Sequence, residues 1–392
     1  MYIANSVLIA AVFLITSVVI ALIGWFIWQK RPSAQVRRGG KTSTQQLTLQ
    51  MPLNVANQIG VFTASGANVF FRPVNTPLVP LTASLYTFTD VSDSELPNFL
   101  FYKPKLVGDV LDQGVFCGSC YAFVAADLIA SGMMIATGGK FLKNLSAQQI
   151  LSCVPDKKTA CDGRTIEEVI MFLAESQLRL TTDREIPYLQ FNSDEVTEAC
   201  TRPKKGLVVN PSSIHSLVEY IPEFGYDEAV LQRNVLNIKK RLYAQGFCYA
   251  SIVVYNDFMT FSGVGIYQPG PKAVPIGGHG VLIVGYCDEG VDPRPAFRPG
   301  YWICKNTFGT RWAPNLVTHG YFPLRMGVNS CGIASRVGAA DAYLPRNVES
   351  WKRNMSRVRW INIDSSTWGK SQKSSVDEEG VEVDLDILQR LI

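Results

Sequence analysis

The segment Cys117-Gly-Ser-Cys120-Tyr-Ala-Phe123 puts a thiol at the start of an apolar helical run, with a second cysteine three residues before it. A thiol there can act as a nucleophile, because helix-terminal N–H groups and the helix dipole stabilise the thiolate. Two later segments supply what such a nucleophile needs. His279 opens the apolar run His-Gly-Val-Leu-Ile-Val-Gly-Tyr, and Asn306 follows Tyr-Trp-Ile-Cys-Lys. An imidazole can take the thiol proton and return it to a leaving group. The chain has only three histidines. His215 follows a Pro-Ser-Ser turn and reads as surface, and His319 precedes a Gly-Tyr pair that ends a loop. The plainer alternatives are a buried or disulfide-bonded Cys120, a satisfied core His279, and a turn asparagine at Asn306. No Cys/His pair has metal-ligand spacing, so neither a metal nor another cofactor is expected.

The elements that must position these side chains fall into two groups. A helix is expected over residues 120–138, with Cys120, Phe123, Val124, Leu128 and Ile129 on or near one face and Gly138 and Gly139 as its stop. Ser146 starts a second helix, with Gln149 at the capping-box position. Thr165–Leu178 is a third, and Asp227–Leu242 a linking helix. After about residue 245 the pattern becomes β-prone: Tyr249–Tyr255, Gly280–Tyr286 and Gly300–Lys305 are short runs separated by Gly, Pro and Asp. Arg336–Tyr343 is another element of undefined period. The expectation is a helical lobe packed against a sheet-rich lobe.

The whole chain sets the frame. Its 392 residues suit one large domain with extensions. The net charge is +4, with no basic stripe interleaved with aromatics, so no nucleic-acid partner is expected. After a short segment 1–6, residues 7–28 carry no charge and end near Trp25 and Trp28. They read as a transmembrane helix, with the lipid bilayer as a partner and a single-pass membrane location. Lys30, Arg31, Arg37, Arg38 and Lys41 follow the run, which argues for a cytoplasmic C-terminal part. Nine cysteines, five of them between 117 and 200, argue for an oxidising compartment. The side stays open. A basic polar linker occupies 29–50, a pro-segment or arm 51–95, and a tail of basic then acidic character 346–392. The arm is a candidate for an inhibitory contact.

Taken in order, these residues resemble the papain-like cysteine peptidases. The likeness runs through Leu96-Pro97, Asp112-Gln113-Gly114, the Cys117–Cys120 block and Leu145-Ser146-Ala-Gln148-Gln149-Ile-Leu-Ser-Cys153. It continues through Cys161-Asp162-Gly163, Ile186-Pro187-Tyr188, Tyr255-Asn256-Asp257-Phe258, Gly277-Gly-His279, Tyr301–Trp312, Gly320-Tyr321 and Cys331-Gly-Ile333. It covers 96–345. The resemblance implies an α+β, papain-like two-lobe fold, with a helical lobe (about 96–215) against a β-barrel-like lobe (about 216–345), here preceded by the transmembrane helix. It implies hydrolysis of peptide bonds in a polypeptide substrate. Combined with the apolar run, it suggests a membrane-bound homologue from a large DNA virus.

The resemblance also implies roles. Cys120 is the nucleophile, His279 the general base and Asn306 the group that holds the imidazole. Gln113 joins the Cys120 N–H in an oxyanion hole; a plain loop glutamine is its alternative. Cys117 pairs with Cys161, and Cys153 with Cys200. Gly118, Ser119 and Gly163 form cleft walls, and Phe308 covers the His279–Asn306 bond. Arg336 ends a pocket for the side chain two residues before the cut and favours an acidic or polar group there, unless it is a surface arginine. Four departures stand out. An extra residue lies in Val115-Phe116, Tyr121 and Phe308 replace tryptophans, Phe101-Tyr102-Lys103 replaces an Asp-Trp-Arg type sequence, and no helical propeptide signature is visible. They leave two rivals: a catalytically weak or inactive scaffold in a membrane or virion, and a tethered ligand-binding module.

Overall fold

The computed structural model describes residues 60–62, 68–70, 82–101, 107–136, 144–191, 193–221, 227–313 and 320–343. Strands β1 (Gly60–Phe62) and β2 (Asn68–Phe70) form an antiparallel pair of their own. Strand β3 (Phe99–Phe101) precedes the helices α1 (Cys120–Ala136), α2 (Ala147–Cys153) and α3 (Ile166–Ser176). Then come β4 (Val208–Val209), β5 (His215–Ser216), α4 (Glu228–Ala244) and the strands β6 (Cys248–Tyr255), β7 (Pro275–Cys287), β8 (Tyr301–Lys305), β9 (Tyr321–Arg325), β10 (Val337–Ala339) and β11 (Ala342–Tyr343).

Helix α1 is apolar nearly all round, and its side chains from Tyr121 to Ile135 are almost all buried. That is the signature of a core helix rather than a surface one. It lies against β7, α2 and α3. Helix α2 starts at Ser146, whose hydroxyl accepts the Gln149 N–H at 2.9 Å. The reciprocal half of a capping box is absent. The Ser146 N–H goes to the Thr181 carbonyl, and the Gln149 amide instead bonds Arg179, Thr181 and Thr201. Thr165 and Asp227 cap α3 and α4 in the same side-chain-to-backbone way.

The second lobe is an antiparallel sheet in the order β5-β10-β6-β7-β8-β9. Its spine is β7. Residues 275–283 pair with β6, and 285–287 with β3. Gly285 is required there: a Cβ would lie 2.2 Å from the Leu100 carbonyl oxygen. Residues 82–97 run along the domain as an ordered strap. Its start is held by Glu167 Oε1, which accepts from both the Thr82 and Ala83 N–H groups. Leu85 then bridges Ser216 in parallel, Asn237 bonds the backbone of Tyr86 and Phe88, and the Tyr286 hydroxyl donates to Pro97 O.

The expected transmembrane helix requires correction. Among the described residues no helix is long and apolar enough to cross a membrane, and 7–28 lies outside them. Apolar α1 has 17 residues, short of the ~20 a bilayer needs, and it spends its apolar surface on protein. The bilayer partner and the single-pass membrane location rested on the hydropathy of 7–28 alone and are withdrawn with it. The linker 29–50 and the tail 346–392 also lie outside the described residues.

Candidate active site

The loop before α1 is built to hold its backbone close to a neighbour. Gly118 donates its N–H to the Cys161 carbonyl at 2.8 Å, and a Cβ on Gly118 would stand 2.7 Å from that same oxygen. Only glycine permits the approach. The bond Cys117–Cys161 ties the loop to the turn Lys157–Asp162, and Cys153–Cys200 closes a second link. Ser119 supplies the carbonyl that takes the first helical N–H bonds, from Ala122 and Phe123. Tyr121, in place of a tryptophan, is fully buried and anchors its hydroxyl on Ala160 O at 2.7 Å. Val115, half-buried against the core, and the exposed Phe116 accommodate the extra residue in a bend.

Cys120 opens α1. Of the five free cysteines it alone retains exposed surface; Cys248, Cys287, Cys304 and Cys331 are buried. Packing around the thiol pushes its pKa up, while hydrogen bonds from the backbone of Gly280, Tyr121 and Cys120 itself pull it down. Gly280 follows His279 in β7, and a Cβ there would lie 3.5 Å from Val124 of α1, so the first turns of α1 pack on the middle of β7.

His279 lies opposite Ile252 in the sheet and is 3 % exposed. Its Nε2 is 2.8 Å from Asn306 Oδ1. The Thr307 N–H donates to that same Asn306 atom at 2.8 Å. An atom that accepts from a backbone N–H must be the amide oxygen, so Nε2 carries the proton and Nδ1 the lone pair. The Phe308 ring covers the imidazole with centroids 4.7 Å apart at 30°, and Asn306 is 0 % exposed. Burial lowers the His279 pKa to about 4, with the Asn306 bond opposing the shift.

Burial therefore disfavours a lone thiolate and a lone imidazolium alike. Moving one proton from sulfur to imidazole creates both charges together, and each then stabilises the other.

Gln113 is buried and held on four sides. Its N–H bonds Thr307 O at 2.8 Å. Its Oε1 accepts from Thr307 Oγ1 at 2.6 Å, and Nε2 donates to Cys117 O at 3.2 Å. Its carbonyl accepts from the Tyr188 hydroxyl at 2.7 Å. An amide has two N–H groups, so one remains for a ligand beyond the Cys117 bond. Thr307 and Tyr188 are site residues that sequence reasoning missed. Thr307 adjoins Asn306, a signal of position, but its partner Gln113 is 194 residues away. Gly163 borders Gly118, with its nitrogen 3.2 Å from where a Gly118 Cβ would be. Arg336 is not a surface residue: it is 3 % exposed, and its carbonyl accepts the Ser251 N–H.

Comparison with known proteins places this geometry. Residues 99–340 match the papain family cysteine protease profile. The chain is 31% identical over 257 residues to cathepsin B-like CP2 of Giardia intestinalis, an alignment covering 64% of this chain and 76% of that protein. It is 27% identical over 247 residues to cathepsin B-like cysteine proteinase 4 of Caenorhabditis elegans, covering 59% of this chain and 69% of the relative. Among solved structures, procathepsin B S9 from Trypanosoma congolense superposes with a TM-score of 0.52 at 21% identity, over 70% of this chain and 87% of that one. At that identity the likeness speaks for the fold alone. These likenesses are to enzymes of cellular organisms, so the expectation of a viral, membrane-bound homologue is corrected. The match makes the protein a hydrolase, a cysteine-type endopeptidase working through a thiol, and the chain belongs to the papain family of cysteine proteases.

Proposed function

We propose that this endopeptidase cuts polypeptide chains with Cys120 as nucleophile, His279 as general base and acid, and Asn306 as the group that orients the imidazole. The thiol proton passes to His279 Nδ1 and the sulfur attacks the scissile carbonyl. The carbonyl oxygen, now negative, sits between Gln113 Nε2 and the Cys120 N–H. As the C–N bond breaks, His279 gives its proton to the leaving amine and a thioester remains. Water then loses a proton to His279 and attacks the thioester, releasing the acid and restoring the thiol. Gly118, Ser119 and Gly163 line the cleft where the substrate backbone passes. In this reading Arg336 ends the pocket for the side chain two residues before the cut. Its buried cation favours an acidic or polar group there. A peptide library accepting only large aliphatic residues at that position would reject this part.

The observation that carries the proposal is the buried His279 Nε2–Asn306 Oδ1 bond at 2.8 Å under the Phe308 ring, on the strand against which the helix that opens with Cys120 is packed. The test is thiol labelling. An epoxysuccinyl peptide should label the reduced, folded protein once, at Cys120, since the other four free thiols are buried. Cys120→Ala should take up no label and have no activity. Labelling elsewhere, or a Cys120→Ala variant that still cleaves peptide, defeats the assignment.

A further inference from the structure

We propose that Tyr188 is a positioning residue that locks the two halves of the oxyanion hole together through one hydroxyl. This rests on the assignment of Gln113 and Cys120 to that hole.

The geometry fixes the direction of the hydrogen bonds. The Tyr188 oxygen lies 2.7 Å from Gln113 O and 2.7 Å from Ser119 Oγ. A carbonyl only accepts, so the phenol proton goes to Gln113 O. The Ser119 hydroxyl must then donate to the Tyr188 oxygen. Its other acceptor, Cys117 O, is farther away at 3.5 Å. The result is a one-way chain, Ser119 to Tyr188 to Gln113. It joins the residue immediately before the nucleophile to the residue whose amide faces the oxyanion.

The phenol suits this task. Its ring packs edge-on against Phe123 of α1 at 4.8 Å and against Phe191 at 5.0 Å, which sets the hydroxyl in place. Burial pushes its pKa up, so the donor proton is present throughout the neutral range. Ser119 is fully buried, so water does not readily substitute in the chain. Gln113 and Ser119 belong to a bent loop that carries an extra residue and an exposed Phe116. Such a loop needs an external tie, because a donor displaced by a fraction of an ångström loses most of its effect on a developing charge.

A double-mutant cycle on the full chain tests this. The variants are Tyr188→Phe, Gln113→Ala and the pair, with fluorogenic peptide turnover normalised to active sites counted by epoxysuccinyl titration. Tyr188→Phe is expected to lower kcat about tenfold with KM within about twofold, as a misaligned oxyanion donor would. Gln113→Ala should lower kcat by roughly 10²-fold. In the Gln113→Ala background Tyr188→Phe should cost less than about twofold, because the donor it aligns is gone. If Gln113→Ala leaves kcat unchanged, the oxyanion-hole assignment itself is wrong. If Gln113→Ala slows the enzyme but the two losses multiply independently, or Tyr188→Phe turns over like the wild type, the positioning role is overturned. Should Tyr188→Phe fail to fold, Ser119→Ala breaks the same chain from its other end. It should lower kcat with KM preserved and show the same coupling to Gln113, and an unchanged kcat overturns the proposal.

Discussion

Lys305 Nζ and Asp127 Oδ2 are 2.9 Å apart, with side chains 1 % and 7 % exposed. The pair joins β8 to α1, and Lys305 immediately precedes Asn306. The helix that opens with Cys120 and the strand that leads into Asn306 are thus clamped by one buried ion pair. Lys305 also donates to Val107 O at 3.1 Å. Burial pushes the Asp127 carboxyl up, and Lys305 is the first charge that pulls it back.

Removing one partner leaves a charge with no counter-ion in the core. Lys305→Met should cost about 3–5 kcal/mol, whereas Lys305→Met with Asp127→Leu should come much closer to the wild type, because the desolvation cost of both charges disappears. Urea unfolding of the two variants measures this. Equal destabilisation of single and double variants would show that packing, not charge, dominates.

His279 makes folding stability depend on pH. Its pKa is about 4 when folded against 6.5 for the free group. The unfolded chain therefore takes up a proton first as pH falls. Stability is fully present above 6.5 and is lost between 6.5 and about 4. The loss is about 3 kcal/mol, at 1.36 kcal/mol per pKa unit. In a Cys120→Ala background, which removes the thiolate, adding His279→Leu should flatten that part of the stability curve by about this amount. An identical slope in both proteins would refute the assignment.

Phe308 stacks on the imidazole that Asn306 holds. Phe308→Ala should let water reach the His279–Asn306 bond and relieve the desolvation that lowers the His279 pKa. The acid limb of the kcat/KM profile should move up, toward 6.5, and kcat/KM should fall about tenfold. A profile that does not move would mean the ring does not shield the bond.

Gly118→Ala would drive a methyl group to 2.7 Å from the Cys161 carbonyl oxygen. The contact is with backbone that a disulfide holds, so it does not relax cheaply. About 1–3 kcal/mol of stability should be lost, and kcat should drop as Cys120 shifts. Thermal unfolding alongside turnover checks both. Wild-type values in both would show that the loop yields freely.

Some of this molecule is legible in the residues alone. The helix starting at Cys120 is visible because a long run, apolar but for Asp127 and a few small residues, ends only at Gly138 and Gly139. The runs at 249–255, 280–286 and 300–305 are visible because β-branched and aromatic residues between turn formers pack well on a sheet. Strands β4, β5 and β11 are two residues each, too short to show a period. Gln149 occupied a capping-box position yet turned its amide to three distant backbone groups, because the Thr181 N–H took its oxygen in place of the local Ser146 N–H. Hydropathy at 7–28 suggested a bilayer, but hydropathy reports only apolar character and not what covers it.

The linear chain by itself determined the chemistry on offer: a thiol at a helix start, an imidazole at the head of an apolar run, and an amide following another. Side-chain type and local period are properties of short segments, and short segments carry them. Which groups touch was decided only by the fold. The Thr307 hydroxyl on Gln113, the Tyr188 hydroxyl between Ser119 and Gln113, and Lys305 against Asp127 each span tens to hundreds of residues of chain. Such contacts form only after loop closure and burial have ordered both partners, and the desolvation that sets the Cys120 and His279 proton affinities arises at the same step.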